Sequence, residues 1–379
     1  MDGQHVVNEE LKTPLLQANL ELLNGLDPQF LYGSAYINDL KSQLRVSLAN
    51  VDVLDITHFE DGQMGIKMRS FDEVQLRIWL NGITQTSADD TGRKITGGLR
   101  LILGRSSPSI PVGNLPATFP ETMESAQDDR PLAFSTSMLE KIIDAFNLPS
   151  TTPWVFVTDQ SHFRRHSVLA KDCIGYTMRR PTWGVLDMNI CLSISHSTAS
   201  GMTYALLHGC SNAQQAFVKE QLRSLASVAN HPLLLPILFS AHQRQLLHKD
   251  AKRLWDSLLD IETASGQTGV PVVDNYGTSI DSEDYTHITK ETLGVIQLAS
   301  GWQSTLKDII LGIDEIKESL THLSDRIRAP EAPMVNARDV FSEWLQFTSH
   351  QSNVLMGQLE YIDKRAQAQM TAVCVVAII

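Results

Sequence analysis

The chain has 379 residues, with 31 lysines and arginines against 43 aspartates and glutamates, a net charge of −12. That balance argues against broad nucleic-acid binding, which needs a basic surface to neutralise phosphates. A composition of 42% apolar and 20% charged residues excludes a disordered chain and fits two domains, or one core domain with a helical arm.

The first residues, Met1 to Glu10, hold no basic region followed by an apolar run, so no secretory signal is read. Residues 11–49 read as mostly helical from Leu15, Leu16, Leu20, Leu22 and Leu23, with a break at Gly25 and Pro28. This gives an N-terminal helical segment over 1–50. Val51–Ile56 is rich in β-branched residues and partly alternates, as a half-buried strand does. Gly65–Met68 and Leu99–Leu103 are further strands, while Gln75–Leu80 fits either a strand or a short helix. Thr91–Gly98 has glycine and lysine in the wrong order for a phosphate loop and reads as a hairpin turn. Residues 104–131 carry Pro108, Pro111, Pro116, Pro120 and Pro131, a density that forbids regular helix or interior strand.

A helix follows. Ser137-Met-Leu-Glu140 has capping-box spacing, Leu139, Ile142, Ile143 and Phe146 form the apolar stripe, and Asn147-Leu-Pro149 closes it. Trp154–Val157, Cys173–Met178, Gly184–Ile194 and Met202–His208 read as consecutive strands, which predicts a mixed or antiparallel sheet. Ala213–Ala229 and Pro236–Ala264 read as helices, so 51–264 is a sheet-bearing α/β domain with a helical end. Residues 265–286, rich in Gly, Ser and Asp, are a polar linker.

From 287 the chain reads as a long helical hairpin. Val295, Ala299, Trp302, Leu306, Ile309, Ile313, Ile316, Leu320, Leu323 and Ile327 alternate by four and three, an unbroken heptad seam. It belongs to an arm over 289–328 that stops at Arg328-Ala-Pro-Glu-Ala-Pro333. A stalk over 336–379 restarts at Asn336, spans roughly 65 Å if continuous, and lies antiparallel to the arm. Its seam (Phe341, Trp344, Leu345, Leu355, Leu359, Ile362, Met370, Val373) is weaker, interrupted by Thr348, Ser352 and Ala366. The fold class is therefore α+β, an N-terminal α/β domain followed by long antiparallel helices.

Candidate chemistry is sparse. His162 and His166, four apart, would form a metal pair on a helix, although Thr158–Ser161 before them is turn-like and a solvated basic loop is the competing reading. His242 and His248 are six apart, too far round a helix to share a ligand. Ser193, Ser195, His196, Ser197 and Ser200 cluster, so a nucleophile–base pair can be drawn, against a plain strand end running into a polar turn. Asp89-Asp90 and Asp128-Asp129 are loop carboxylates, able to hold a hard cation or simply solvated. Cys173, Cys191, Cys210 and Cys374 form no C-x-x-C pair and read as reduced thiols. Cys374 stands sixth from the end, outside a prenylation box.

Several segments together resemble the fungal CorA-like group of the CorA family of divalent-cation transporters. They are Pro131–Pro149 followed by Trp154–Phe163, the sheet end Tyr204-Ala-Leu-Leu-His-Gly209, His231-Pro-Leu-Leu-Leu-Pro236 before a long helix, and the stalk stretch Gln358–Gln369. The resemblance runs from about 50 to 373, and no one of these motifs is diagnostic. It implies a cytosolic α/β domain, two long helices, and a stalk leading to two membrane spans of a pentameric channel with a Gly-Met-Asn signature. This sequence has neither spans nor signature, so no pore residue is carried over and transport by the chain alone is not expected. Ala372–Ile379 is apolar all round, but eight residues cannot cross a bilayer that needs roughly 20. A truncation by an altered gene model, a retained intron or a short isoform is the expectation.

The leading expectation is thus a regulatory and oligomerisation domain related to magnesium transporters. It would be cytoplasmic as written, or membrane-associated if a longer form carries the spans. Its partners would be copies of itself or a full-length membrane paralogue, with Mg2+ as a possible regulatory ion and no metal ligand assigned. The alternative is an intracellular interaction protein whose arm seam over 295–327 (Trp302, Leu306, Ile309, Ile313, Ile316, Leu320, Leu323, Ile327), the oligomer contact in the leading reading, pairs with a partner helix; Leu355, Leu359 and Ile362 form the stalk seam. A hydrolase using Ser195 and His196 is a distant third.

Overall fold

The computed structural model describes residues 41, 44–83, 92–104, 131–158, 160–166, 172–180, 190–266, 282–326 and 332–378. In chain order its elements are β1 (Val51–Phe59), β2 (Met64–Phe71), α1 (Glu73–Ile83), β3 (Ile95–Leu103), α2 (Thr136–Phe146), α3 (Thr152–Val157) and β4 (His162–His166). They continue with β5 (Cys173–Arg180), β6 (Ile190–Ser197), β7 (Met202–His208), α4 (Asn212–Ser224), α5 (Leu234–Ala264), α6 (Ser282–Arg326) and α7 (Ala332–Ile378). The seven strands form one mixed sheet in the order β2-β1-β3-β7-β6-β5-β4. Only β3 and β7 pair in parallel among these neighbours. The α+β class expected from the sequence is what the chain adopts.

Both faces of the sheet are covered at β1, β3, β5, β6 and β7, whereas the edge strand β2 is largely exposed, and this decides the composition of the strands. Val51 and Val53 of β1 face a core closed by α1 and α2, while Leu54 and Ile56 face the core under the later helices. A strand buried on both sides reads as a run of apolar residues, not as the alternation of a half-buried one. The second core is continuous from Leu54 to Val373 and takes in α4, α5, α6 and α7.

Local capping explains most departures from the sequence reading. Gln75–Leu80 is helical because Asp72 and Gln75 cap each other: Gln75 N–H donates to Asp72 Oδ1 at 2.8 Å, and Asp72 N–H to Gln75 Oε1 at 3.2 Å. Helix α2 is capped by Ser135, not Ser137, with Met138 N–H donating to Ser135 Oγ at 3.2 Å. Glu73 of α1 takes both the Ser135 N–H (3.0 Å) and its hydroxyl (2.6 Å), so the helices that close the first core share one carboxylate. Asn147, at φ 49°, ends α2 in the left-handed region.

Trp154–Val157 is a short helix, not a strand, started by Pro153 in its first turn, where a missing N–H costs nothing. Residues 44–49 are extended, not helical: Ser47 N–H donates to the Leu132 carbonyl at 2.9 Å, and Val46 bridges Leu132. The leucines that suggested helix there lie outside the described residues, as do 105–130 and most of the linker. The linker is shorter than expected, since α6 begins at Ser282. Ile95–Gly98 belongs to β3 and not to a turn; a Cβ on Gly98 would collide with the Ile56 carbonyl oxygen of β1. The helix expected to run to Ala229 ends at Ser224, followed by a 3-10 turn over Ala226–Val228.

Helix α6 packs along α7, on α5 and on β4. Val295 through Leu323 of the predicted seam are all buried in the single chain, and Ile327 lies outside the described residues. The seam of α7 is more regular than the sequence suggested. Phe341, Leu345, Thr348, Ser352, Leu355, Leu359, Ile362, Ala366, Gln369 and Val373 are all buried, spaced by four and three without a break. Thr348 and Ser352 fit because each hydroxyl donates to the carbonyl four residues back, both at 2.8 Å, leaving no polar group unpaired. Val373 lies on this seam, as expected, whereas Trp344 and Met370 are only half-buried beside it.

Ile313, wholly buried between the long helices, tests the closed seam directly. Ile313→Ala should cost roughly 2–5 kcal/mol in a urea titration, at protein concentrations low enough to keep the chain monomeric. A change near zero would mean that this seam opens in solution.

Candidate functional site

In the single chain the expected contact seam is already occupied: Trp302, Leu306, Ile309, Ile313, Ile316, Leu320 and Leu323 are covered by the chain's own helices, and Leu355, Leu359 and Ile362 are equally buried. A partner helix would have to displace α7. What the fold leaves open is another side of α7. Val340, Phe347, Val354 and Tyr361 are 57%, 58%, 46% and 56% exposed. They stand seven residues apart, so they rise along one line at about 10.5 Å intervals. Trp344 and Gln351, half-buried, and exposed Gln358 complete a second seven-residue stripe beside the buried one. Sequence reading missed it because the buried seam absorbed the periodicity; the signal was the recurrence of an apolar residue at every seventh position from Val340.

One end of this face is pinned. Arg365 grips Glu262 of α5 with Nε and Nη2, both at 2.5 Å, and its guanidinium lies 4.9 Å from the Trp255 ring. Tyr361 meets Trp255 at 5.8 Å. Hydrogen bonding to Glu262 pushes the Arg365 pKa further up, as a fork-on-carboxylate pair should. Gln369 donates to Ser265 one turn beyond. The open part of the face therefore runs from Val340 to about Gln358, away from α5.

The other sequence candidates come apart for geometric reasons. His162 and His166 lie on a strand, where four residues span roughly 13 Å, too far to share a metal ion. His162 instead stacks on Trp154 at 4.6 Å, and His166 Nε2 meets Thr177 Oγ1 at 2.9 Å. Ser195 and His196 are neighbours on β6 and point to opposite faces of the sheet. Ser195 donates to the Phe146 carbonyl, and His196 Nδ1 meets Thr203 Oγ1 at 2.9 Å. The nucleophile–base pair does not form.

Ser193 bonds Thr152 Oγ1 at 2.7 Å, and Ser197 accepts the Ser200 N–H at 3.3 Å. His242 stacks on Phe217 at 4.0 Å, and His248 lies further along the same helix. Among the described residues no group of three or more His, Cys, Asp or Glu could hold a metal ion. Asp89-Asp90 and Asp128-Asp129 lie outside them. None of the four cysteines is in a disulfide, with Cys191 and Cys210 buried and Cys374 exposed. Among the described residues no helix is long and apolar enough to cross a membrane.

No protein-family model and no curated protein matches this sequence. Solved structures with a similar course of the chain include the ZntB cytoplasmic domain from Vibrio parahaemolyticus and full-length CmaX. The first is 8% identical, covers 85% of this chain and 96% of that chain, and has a TM-score of 0.44. The second is 8% identical, covers 86% and 78%, and has a TM-score of 0.43. Both likenesses are distant.

Two buried histidines join the sheet to the start of α7. His231 lies edge-on to Phe341 at 4.8 Å, and its Nδ1 accepts the Leu233 N–H at 3.2 Å. Burial lowers His231 to about 3 and His196 to about 4. Both are neutral in the folded chain, whereas the unfolded chain takes up protons near pH 6.5. Their stabilising contribution is full above about 6.5 and lost progressively as pH falls toward 4 and then 3. Urea titrations should show a loss of roughly 2 kcal/mol per histidine between pH 7 and pH 5. His162, also lowered to about 3 by burial, adds to the same loss, so His231→Gln should remove roughly 2 kcal/mol of it, and an unchanged slope would show that His231 is protonated in the fold.

Proposed function

We propose that this chain is the water-facing domain of a CorA-type divalent-cation transporter system, acting as a helical scaffold whose copies associate along the open face of α7. The observation that carries this reading is the line of Val340, Phe347, Val354 and Tyr361, left exposed on a helix whose main seam is already filled. Identical helices set parallel and in register place the same residue at the same level, so one apolar position per heptad recurs at every layer of an assembly. The segments Pro131–Pro149, His231–Pro236 and Gln358–Gln369, which resemble the CorA family, support the transporter context.

The charge supplies the regulation. Copies carrying −12 each repel one another, and divalent cations screen that repulsion or bind the acidic surface. Magnesium therefore favours association in this reading.

Sedimentation velocity of the whole chain tests it, at tens of micromolar protein with and without millimolar magnesium. Self-association that strengthens with magnesium is expected. Phe347→Asp combined with Val354→Asp should abolish it while changing stability by less than about 1 kcal/mol, since both side chains are largely exposed. A monomer indifferent to magnesium overturns the proposal, and an assembly unaffected by the double substitution moves the contact to another surface.

A further inference from the structure

Arg179 and Arg180 end β5 as the largest fully buried side chains described, and they leave the sheet on opposite faces. Arg179 is held on the α3 side, where its Nε donates to the Thr158 carbonyl at 2.7 Å. Arg180 turns toward α6. Its Nη1 donates to Ser161 Oγ at 2.7 Å and to the Arg179 carbonyl at 3.4 Å. Its Nε and Nη2, the edge that a guanidinium offers to a carboxylate as a two-pronged fork, are buried with no hydrogen-bond partner.

The surface of α6 that meets this fork has a distinctive pattern. Gly312 lies against Nη2 so closely that a Cβ there would overlap it. Asp308 one turn before and Glu315 one turn after share the same side of the helix. Asp308 is half-buried and Glu315 is open to water. The three charges act on each other through space. Burial raises both carboxyls while Arg180 draws them down, Glu315 is also drawn down by Arg164 and by a hydrogen bond from the Phe163 backbone N–H, and burial lowers Arg180 to about 10. A buried charge without a direct partner costs stability, and apolar replacements of similar volume often stabilise.

We infer that Arg180 and the stripe Asp308–Gly312–Glu315 form a two-position joint between the sheet and the long helices. In the position described here the guanidinium rests on the bare backbone of Gly312 with its fork unfilled. A shift of α6 along its axis, by less than the ~5.4 Å of one turn, brings a carboxylate onto the fork. The joint lies within one chain and uses none of the exposed residues of α7, so it is tested apart from self-association.

The test combines thermal unfolding with hydrogen exchange on the whole chain. Arg180→Met together with Asp308→Asn and Glu315→Gln removes the three charges at nearly constant volume and keeps an acceptor for the Phe163 N–H. The triple variant should melt about 2 °C or more above the parent chain, with slower exchange in β5 and around Gly312 because the second position is gone. Gly312→Ala removes the resting place and should speed exchange in the same segments while leaving α2 unchanged. A triple variant that melts below the parent makes Arg180 an ordinary stabilising group and overturns the joint. Exchange unchanged by both variants shows that α6 does not move, and overturns it equally.

Discussion

Closure of the seam between α6 and α7 is the constraint on which the rest of the molecule depends. These helices hold 45 and 47 residues, and each presents an apolar line every three and four residues. Neither line can face water, so each helix satisfies the other, and α5 and the edge of the sheet seal what remains. The first consequence is tolerance. Polar residues enter the seam wherever their hydroxyls return to the preceding turn, as Thr348 and Ser352 do. The second is exposure, because a helix with one side filled shows its other sides to whatever comes next.

The sheet imposes a complementary constraint. Covered on both faces at its central strands, it needs two cores, and the smaller depends on α1 and α2 holding each other through Glu73 and Ser135. The edge strand β4 is shielded by α6. At that edge the helical layer meets the sheet through charge as well as apolar contact, and a buried guanidinium sits where a side chain on Gly312 could not. Contacts of these two kinds respond differently to movement. An interlocked apolar seam resists sliding, whereas a charge with an unfilled fork has something to gain from it.

Much of this was legible in the sequence, for a physical reason. Alternation by four and three from Val295 to Leu323 dictates a buried helical line, and the structure buries each of those residues. The strands at Cys173 and Met202 were equally plain. Misreadings fell where a local hydrogen bond outweighs composition. Trp154–Val157 looks like a strand by its β-branched and aromatic content, but Pro153 starts a helical turn. Ser137 and Glu140 have capping-box spacing, yet Ser135 caps α2 because Glu73, distant in sequence, is there to hold it. The histidine pair depended on assuming a helix, and on a strand the same spacing separates the rings. Arg180 was invisible because its significance lies in Gly312, across the fold and 132 positions away, a pairing no local pattern carries.

Periodicity alone also cannot say which of two stripes on one helix is buried. In α7 the residues from Phe341 by fours and threes are covered, and those from Val340 by sevens are not. A helix serving a single partner needs one stripe, so a second argues for a second contact. Its pinned end matters here. Arg365, Glu262 and Trp255 fix α7 to α5 beyond Tyr361, while near Phe341 the helix is held by the seam, by the turn over Ala226–Val228 and by the ring contact of Phe341 with His231. Because that seam interlocks α6 with α7, a shift of α6 at Arg180 cannot leave α7 behind. On the proposed reading, movement at the buried joint on the sheet edge is delivered to the open apolar line of α7.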